Sequence, residues 1–411
     1  MIQLALGRRA ALVLGAGGLA WPAVGRAQSE PVRIGAILSA SGGLAAFTPP
    51  IRAGIGLALE EVNAAGGLLG GRRLQLVEAD DQTNPQVAVS VATRLVQADN
   101  VSAIIGPMAS GITIAVANAV TVPAGVPIIS PSATAPAVSQ IQDNDTVFRT
   151  AVPDDLQGQV LARVVRERGI ERAAVMAINN DYGRGLANAF STSFQARGGT
   201  VTASQNFEEN RPSYRAELQT LAGRGGPQAL VLIAYPASGG NTILRNAIEN
   251  AFFTRFVLTD GMRDQSVVEA VGARPLAGSI GTAPGSAATP EQRAKYEAAF
   301  RRANPNLDPG GAFVAQAYDA AYVIALAIQR AGSAERAAIR AAIREVANAP
   351  GEVVGPGEFA RARDLLARGA AINYEGASGP IEFNQHGDAQ GRIEVWEIQD
   401  GRIVTIANVS E

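Results

Sequence analysis

The chain has 411 residues, 47% apolar, with 35 basic and 37 acidic side chains, a single histidine and no cysteine. That length suits two globular domains, and the even charge leaves nothing for nucleic acid to hold. Without cysteine, thiol catalysis, disulfides and Cys-ligated metals are excluded, and one histidine excludes a cluster of histidine ligands. The first 27 residues read as a targeting segment: Arg8 and Arg9, an apolar run from Ala10 to Ala20 too short to span a bilayer, and a small-x-small site at Gly25-Arg26-Ala27. Cleavage is expected after Ala27, with export to the periplasm. The mature chain then carries 32 basic against 37 acidic residues.

From Pro31 onward strands and helices alternate. Val32 to Leu38 is a buried strand, Thr48-Pro49 opens a helix reaching Ala65, and Leu74 to Glu78 is a second strand. Asn84 caps a helix from Pro85 to Ala98. Two apolar runs follow, Val101 to Ile105 and Val126 to Ile129. Each leads into small and hydroxyl residues: Gly106, Ser110 and Gly111 after the first, Ser130, Ser132 and Thr134 after the second. In a parallel sheet these clusters fall at strand carboxyl ends, where ligands sit and helix N-termini favour an anion such as a carboxylate.

The alternation restarts after Arg149. Helices are expected at Asp154 to Arg168, Tyr182 to Arg197, Ser213 to Leu221 and Gly239 to Asn250. Strands are expected at Ala173 to Ile178, Val201 to Asn206, Ala229 to Ala234 and Phe256 to Thr259. Further helices read at Pro290 to Ala303, Gly311 to Ala331 and Ala334 to Ala347. Gly379 to Phe383, Ile393 to Ile398 and Ile403 to Ala407 read as strands, with a tight turn at Asp400-Gly401. The fold class is α/β, in two doubly wound lobes.

The ordered segments VRIGAILSASGG, GLALEEVNAAGGLLGGRRLQL, DDQTNP, AIIGPMASG, VPIISPSATAP, VFRTAVPDDLQG, NDYGRGLANAF and GPIEFNQHGD resemble the leucine/isoleucine/valine-binding proteins of bacterial ABC importers. The resemblance covers nearly the whole mature chain. It implies a type I periplasmic binding fold, two lobes joined by three crossover strands that close over a ligand, and a monomer that delivers its ligand to a membrane permease. Lobe I is expected from 31–150 plus 283–390 and lobe II from 151–282 plus 391–411, with crossovers near Phe148 to Val152, Ser279 to Ala283 and Ala389 to Arg392.

Position by position, the resemblance gives Ser110 to the ligand carboxylate, and Ser132, Ala133 and Thr134 to its carboxylate and ammonium. Tyr182 and Tyr235 match second-lobe tyrosines that close over the ligand. Asp260 falls where founding members carry a glutamate that pairs with the ammonium, and Phe47 and Phe313 match the side-chain pocket. Each residue also has an ordinary role: serine and threonine cap helices, Asp260-Gly261 suits a turn, and phenylalanines fill cores. The ligand's side chain is left open among aliphatic and aromatic amino acids, amides, urea and aromatic acids.

Other chemistries find no support. His386 sits in a polar turn, no Gly-x-Ser-x-Gly elbow occurs, and Gly183-Arg184-Gly185 lacks the third glycine of a dinucleotide fingerprint. Asp80-Asp81 reads as a turn and helix start rather than a metal site. The reading is therefore a binding protein rather than an enzyme, with no cofactor. A sensory receptor subunit with the same fold is the alternative.

Overall fold

A computed structural model describes residues 30–410; the expected targeting segment and its cleavage site lie outside them. Two separate sheets organise the chain. The first has five strands in the order β2-β1-β3-β4-β5: β1 (Val32–Leu38), β2 (Leu74–Asp80), β3 (Ile104–Ile105), β4 (Ile128–Ser130) and β5 (Val147–Arg149). All are parallel, starting from the register Val32 against Leu74. The run expected from Val101 pairs only at Ile104 and Ile105, where it meets β1 and β4.

The second sheet has seven strands in the order β14-β13-β10-β9-β8-β6-β7. They are β6 (Arg172–Ile178), β7 (Thr200–Phe207), β8 (Ala229–Ile233), β9 (Phe256–Leu258), β10 (Ile280–Pro284), β13 (Ile393–Gln399) and β14 (Arg402–Val409). β8 is buried along its whole length, the continuous apolar run expected of a parallel strand covered on both faces. The chain passes between the sheets after β5, after β10 and before β13, giving the two-lobed, three-crossover architecture.

Helix boundaries follow local chemistry. Asn84 accepts hydrogen bonds from the amides of Gln86 and Val87 at the head of Pro85–Gln97, satisfying donors that a helix start leaves free. The helix Val314–Ala331 is buried from Val314 to Ile328 apart from Ala315, as an all-round apolar helix must be. It lies so close to the helix Thr48–Ala64 that a Cβ on Gly54 would stand 2.6 Å from the Val314 carbonyl oxygen.

After Ala347 the chain departs from expectation in two places. Gly379 to Phe383 is no strand: it makes only isolated bridges, Glu375 with Pro380 and Phe383 with Ala389, because Pro380 has no N–H to extend a ladder. A small parallel pair, β11 (Glu352–Val354) and β12 (Ile372–Tyr374), flanks a helix Phe359–Ala367 in a region that carried no strong pattern.

Candidate functional site

The loops leaving β3 and β4 form one wall of a cleft, and hydroxyls knit them together. Ser130 Oγ donates to the Pro107 carbonyl (2.6 Å) and accepts from the Ala133 amide (3.0 Å). Ser132 Oγ donates to the Met108 carbonyl (3.0 Å), and Ser110 Oγ accepts from the Ala135 amide (3.1 Å). Gly106 makes this crossing possible: its φ is +93°, and a Cβ there would run into the Ile37 carbonyl oxygen.

Beneath the wall lies a buried ion pair. Arg149 Nε meets Asp388 Oδ1 at 2.6 Å, with both side chains nearly or wholly inaccessible. Its Nη1 donates to the carbonyls of Ala133 (3.0 Å) and Ala135 (2.9 Å), and its Nη2 to Ser139 Oγ (2.6 Å). The guanidinium thus fixes the backbone of the binding loop from behind, and Asp388 balances its charge. The fork geometry of arginine suits this convergence.

The opposing wall is aromatic and acidic. Tyr182 and Tyr235 stack at 5.4 Å between ring centroids with planes 9° apart. The Tyr182 hydroxyl donates to Asp260 Oδ1 (2.8 Å), lies 2.8 Å from Thr259 Oγ1, and accepts from the Gly261 amide (3.2 Å). Gln157 Nε2 donates to the same Asp260 oxygen (2.7 Å) and to the Thr282 carbonyl (3.2 Å). Burial pushes the Asp260 carboxyl up to about 6 even against these hydrogen bonds. Burial likewise raises both tyrosines, aided by the Asp260 charge, and keeps them neutral donors.

Asp154 completes this corner. It opens the helix Asp154–Glu167, its amide donates to the Thr134 carbonyl (2.9 Å), and its side chain is wholly buried. Burial and then the charge of Asp260 push its carboxyl well above the usual range. Neither carboxyl oxygen makes a hydrogen bond in good geometry; the neighbouring Thr134 hydroxyl and the Arg149 charge favour the ionised form but do not offset burial. Among the described residues, neither Asp154 nor Asp260 forms an ion pair.

Between the walls lies a cavity lined by Leu44, Phe47, Met108, Ser110, Ser132, Tyr182, Tyr235, Asp260, Gly261 and Phe313. It brings together seven of the nine residues singled out from sequence. Ala133 and Thr134 lie behind the wall: both are buried, and the amide and carbonyl of Ala133 are used by Ser130 and Arg149. Leu44, Met108 and Gly261 were not anticipated, nor were Asp154 and Gln157. Phe313 adopts a left-handed backbone (φ 65°), which costs a non-glycine residue about 1–2 kcal/mol.

The lobes stand closed. A Cβ on Gly111 would lie 2.7 Å from Asp181 Oδ2 and one on Gly185 2.8 Å from Pro136 Cδ, while one on Gly43 would strike Ser238 Oγ. The enclosed space is only about 20 Å³, the scale of a buried water. A ligand therefore enters when the lobes part.

Known proteins place this architecture. The family profile described as periplasmic binding protein matches residues 31–373. A leucine-, isoleucine-, valine-, threonine- and alanine-binding protein of Pseudomonas aeruginosa is 30% identical over 318 residues, covering 77% of this chain and 83% of that one. The structure of a leucine-binding protein from Thermotoga maritima superposes with a TM-score of 0.78 at 27% identity, covering 92% of this chain and 99% of that chain. A branched-chain amino acid transporter substrate-binding protein from Streptococcus pneumoniae, solved with isoleucine, gives 0.76 at 25% identity over 93% and 99%. The two-lobed α/β architecture is thus shared over nearly the full length, and the chain belongs to the periplasmic binding protein family.

Proposed function

We propose that this protein captures an apolar amino acid in the periplasm and delivers it to the permease of an ABC importer, without catalysing a reaction. The observation that carries the reading is the buried Asp260 carboxyl lining the cavity, with the Asp154 carboxyl behind it and neither held in an ion pair. A buried charge without a partner is costly. A ligand ammonium supplies the missing cation. The Ser110 hydroxyl, which within the wall only accepts, is free to donate to the ligand carboxylate, and Leu44, Phe47, Met108 and Phe313 supply an apolar surround for its side chain. The relatives named for leucine, isoleucine and valine support the same class of ligand.

The test is a thermal-shift panel of L-amino acids, amides and aromatic carboxylates on the purified mature protein. A cognate ligand at about 100 times its Kd adds roughly 2.7 kcal/mol of stability. Leucine, isoleucine or valine should raise Tm; a rise with benzoate or an amide and none with any amino acid would overturn the assignment.

A further inference from the structure

Arg263 ends the turn that carries Asp260: its amide donates to the Asp260 carbonyl at 2.9 Å. Its side chain, about nine-tenths buried, points away from the ligand cavity into a second space of about 170 Å³ between the lobes. There it makes three hydrogen bonds. Nε (3.0 Å) and Nη2 (2.6 Å) both donate to Glu394 Oε1 on β13, and Nη1 donates to the Gly310 carbonyl at 3.0 Å. Thr405 Oγ1 donates to the same glutamate oxygen at 2.6 Å, so Glu394 is itself held in place.

These partners belong to different bodies. The Asp260 turn follows β9 in the second sheet, and Glu394 lies beside the crossover strand β10, opposite Ala283. Gly310 belongs to the loop that ends in Phe313 and starts the helix Val314–Ala331, which packs against the helix Thr48–Ala64 of the first lobe. One guanidinium therefore joins the turn presenting Asp260, the loop presenting Phe313, and a strand at the hinge.

We propose that Arg263 is a positioning residue for ligand capture: by bonding Gly310 and Glu394 together it holds Asp260 and Phe313 in register across the closed cleft. The Nη1–Gly310 bond exists only when the lobes are together, because its two ends ride on opposite lobes. The ion pair with Glu394 keeps the guanidinium pre-set on its own side, so closure orders little that was free. The bond then resists opening rather than helping encounter, and its loss acts on dissociation. Lysine cannot take its place, since one ammonium on a flexible stem does not span both acceptors in a fixed fork.

The proposal rests on a ligand held between the lobes, as proposed above, but its test does not depend on which ligand. The chain has no cysteine, so Glu60→Cys on the first lobe and Gln219→Cys on the second accept spin labels cleanly, both positions being exposed. Pulsed dipolar distances are compared for the labelled parent, Arg263→Gln and Arg263→Lys, with and without L-leucine. Leucine dissociation is followed by stopped flow, and Tm reports the fold. Arg263→Gln should shift the ligand-free distribution to longer distances and speed dissociation about tenfold, with association changed less than about twofold. Arg263→Lys should restore Tm but not the closed distance or the slow dissociation. Parent-like distances in Arg263→Gln, or full rescue of every readout by lysine, would overturn the proposal. Absence of a leucine response in the parent would count against the amino-acid reading alone, while the ligand-free distances still judge Arg263.

Discussion

The two walls of the cleft solve the problem of a buried polar ligand in opposite ways. The first-lobe wall, Ser110 and Ser130 to Ala135, is uncharged and largely satisfied from within: its hydroxyls bond neighbouring backbone, and Arg149 holds its carbonyls. The second-lobe corner, Asp154, Gln157, Tyr182 and Asp260, carries two buried carboxyl groups, Asp260 bonded by Tyr182 and Gln157 and Asp154 with both oxygens unpartnered. One wall is finished before a ligand arrives. The other is finished by the ligand. On the proposed function, the neutral wall is pre-set and costs little to reorganise, whereas the acidic corner gains its charge partner from a ligand cation, and this would favour an amino acid over a plain acid.

Breaking the finished wall should have the largest effect. Arg149→Met strands Asp388 in the interior and frees the Ala133 and Ala135 carbonyls, so urea unfolding should show about 3–5 kcal/mol lost. The acidic corner should behave in the reverse sense. Asp154→Asn replaces a buried carboxyl that is held well above its usual range and has no ion-pair partner, so stability should hold or rise while leucine affinity, which draws on the ionised form, falls, read by paired urea melts and titrations.

A smaller and more diagnostic effect is expected from pH. The Asp260 carboxyl stands at about 6 when folded against 3.8 ordinarily. A carboxyl raised by folding destabilises the protein once ionised, so ligand-free stability should increase as pH falls through 6 towards 3.8. Pairing with an ammonium needs the ionised form, so affinity should move the other way, weakening about tenfold between pH 7.5 and 5. Calorimetry at the two pH values checks this, and an unchanged Kd would separate Asp260 from the ligand. The smallest effect should come from Ser110→Ala, where one neutral hydrogen bond is lost at about 1 kcal/mol, roughly fivefold in Kd by titration.

Much of this was legible in the sequence because it was written in local patterns. β1 and the helix Pro290–Ala303 begin and end where the apolar run and the helical pattern place them, and the hydroxyls after β3 and β4 line one wall of the cleft. Asp154 was missed because an acid in the first turn of a helix also reads as a partner for the helix dipole; only the fold shows it buried beside Asp260. Leu44 and Met108 look like core residues, and in the closed state they are as buried as core. Arg149 and Asp388 are far apart in the chain, and no local spacing announces their pairing. The left-handed Phe313 comes after Gly310-Gly311-Ala312 and reads as an ordinary helix entry until the loop's contacts are known.

The central claim is that Asp260 reads the amine. Isothermal titration of L-leucine and of its deaminated analogue 4-methylpentanoate, into the wild type and into Asp260→Asn, isolates that charge with shape nearly constant. Removing one partner of a desolvated pair costs about 2–5 kcal/mol, roughly 30-fold or more in Kd. Wild type should prefer leucine by at least that factor, and Asp260→Asn should erase most of the preference. Equal binding of the two ligands by wild type, unchanged by the substitution, would contradict it.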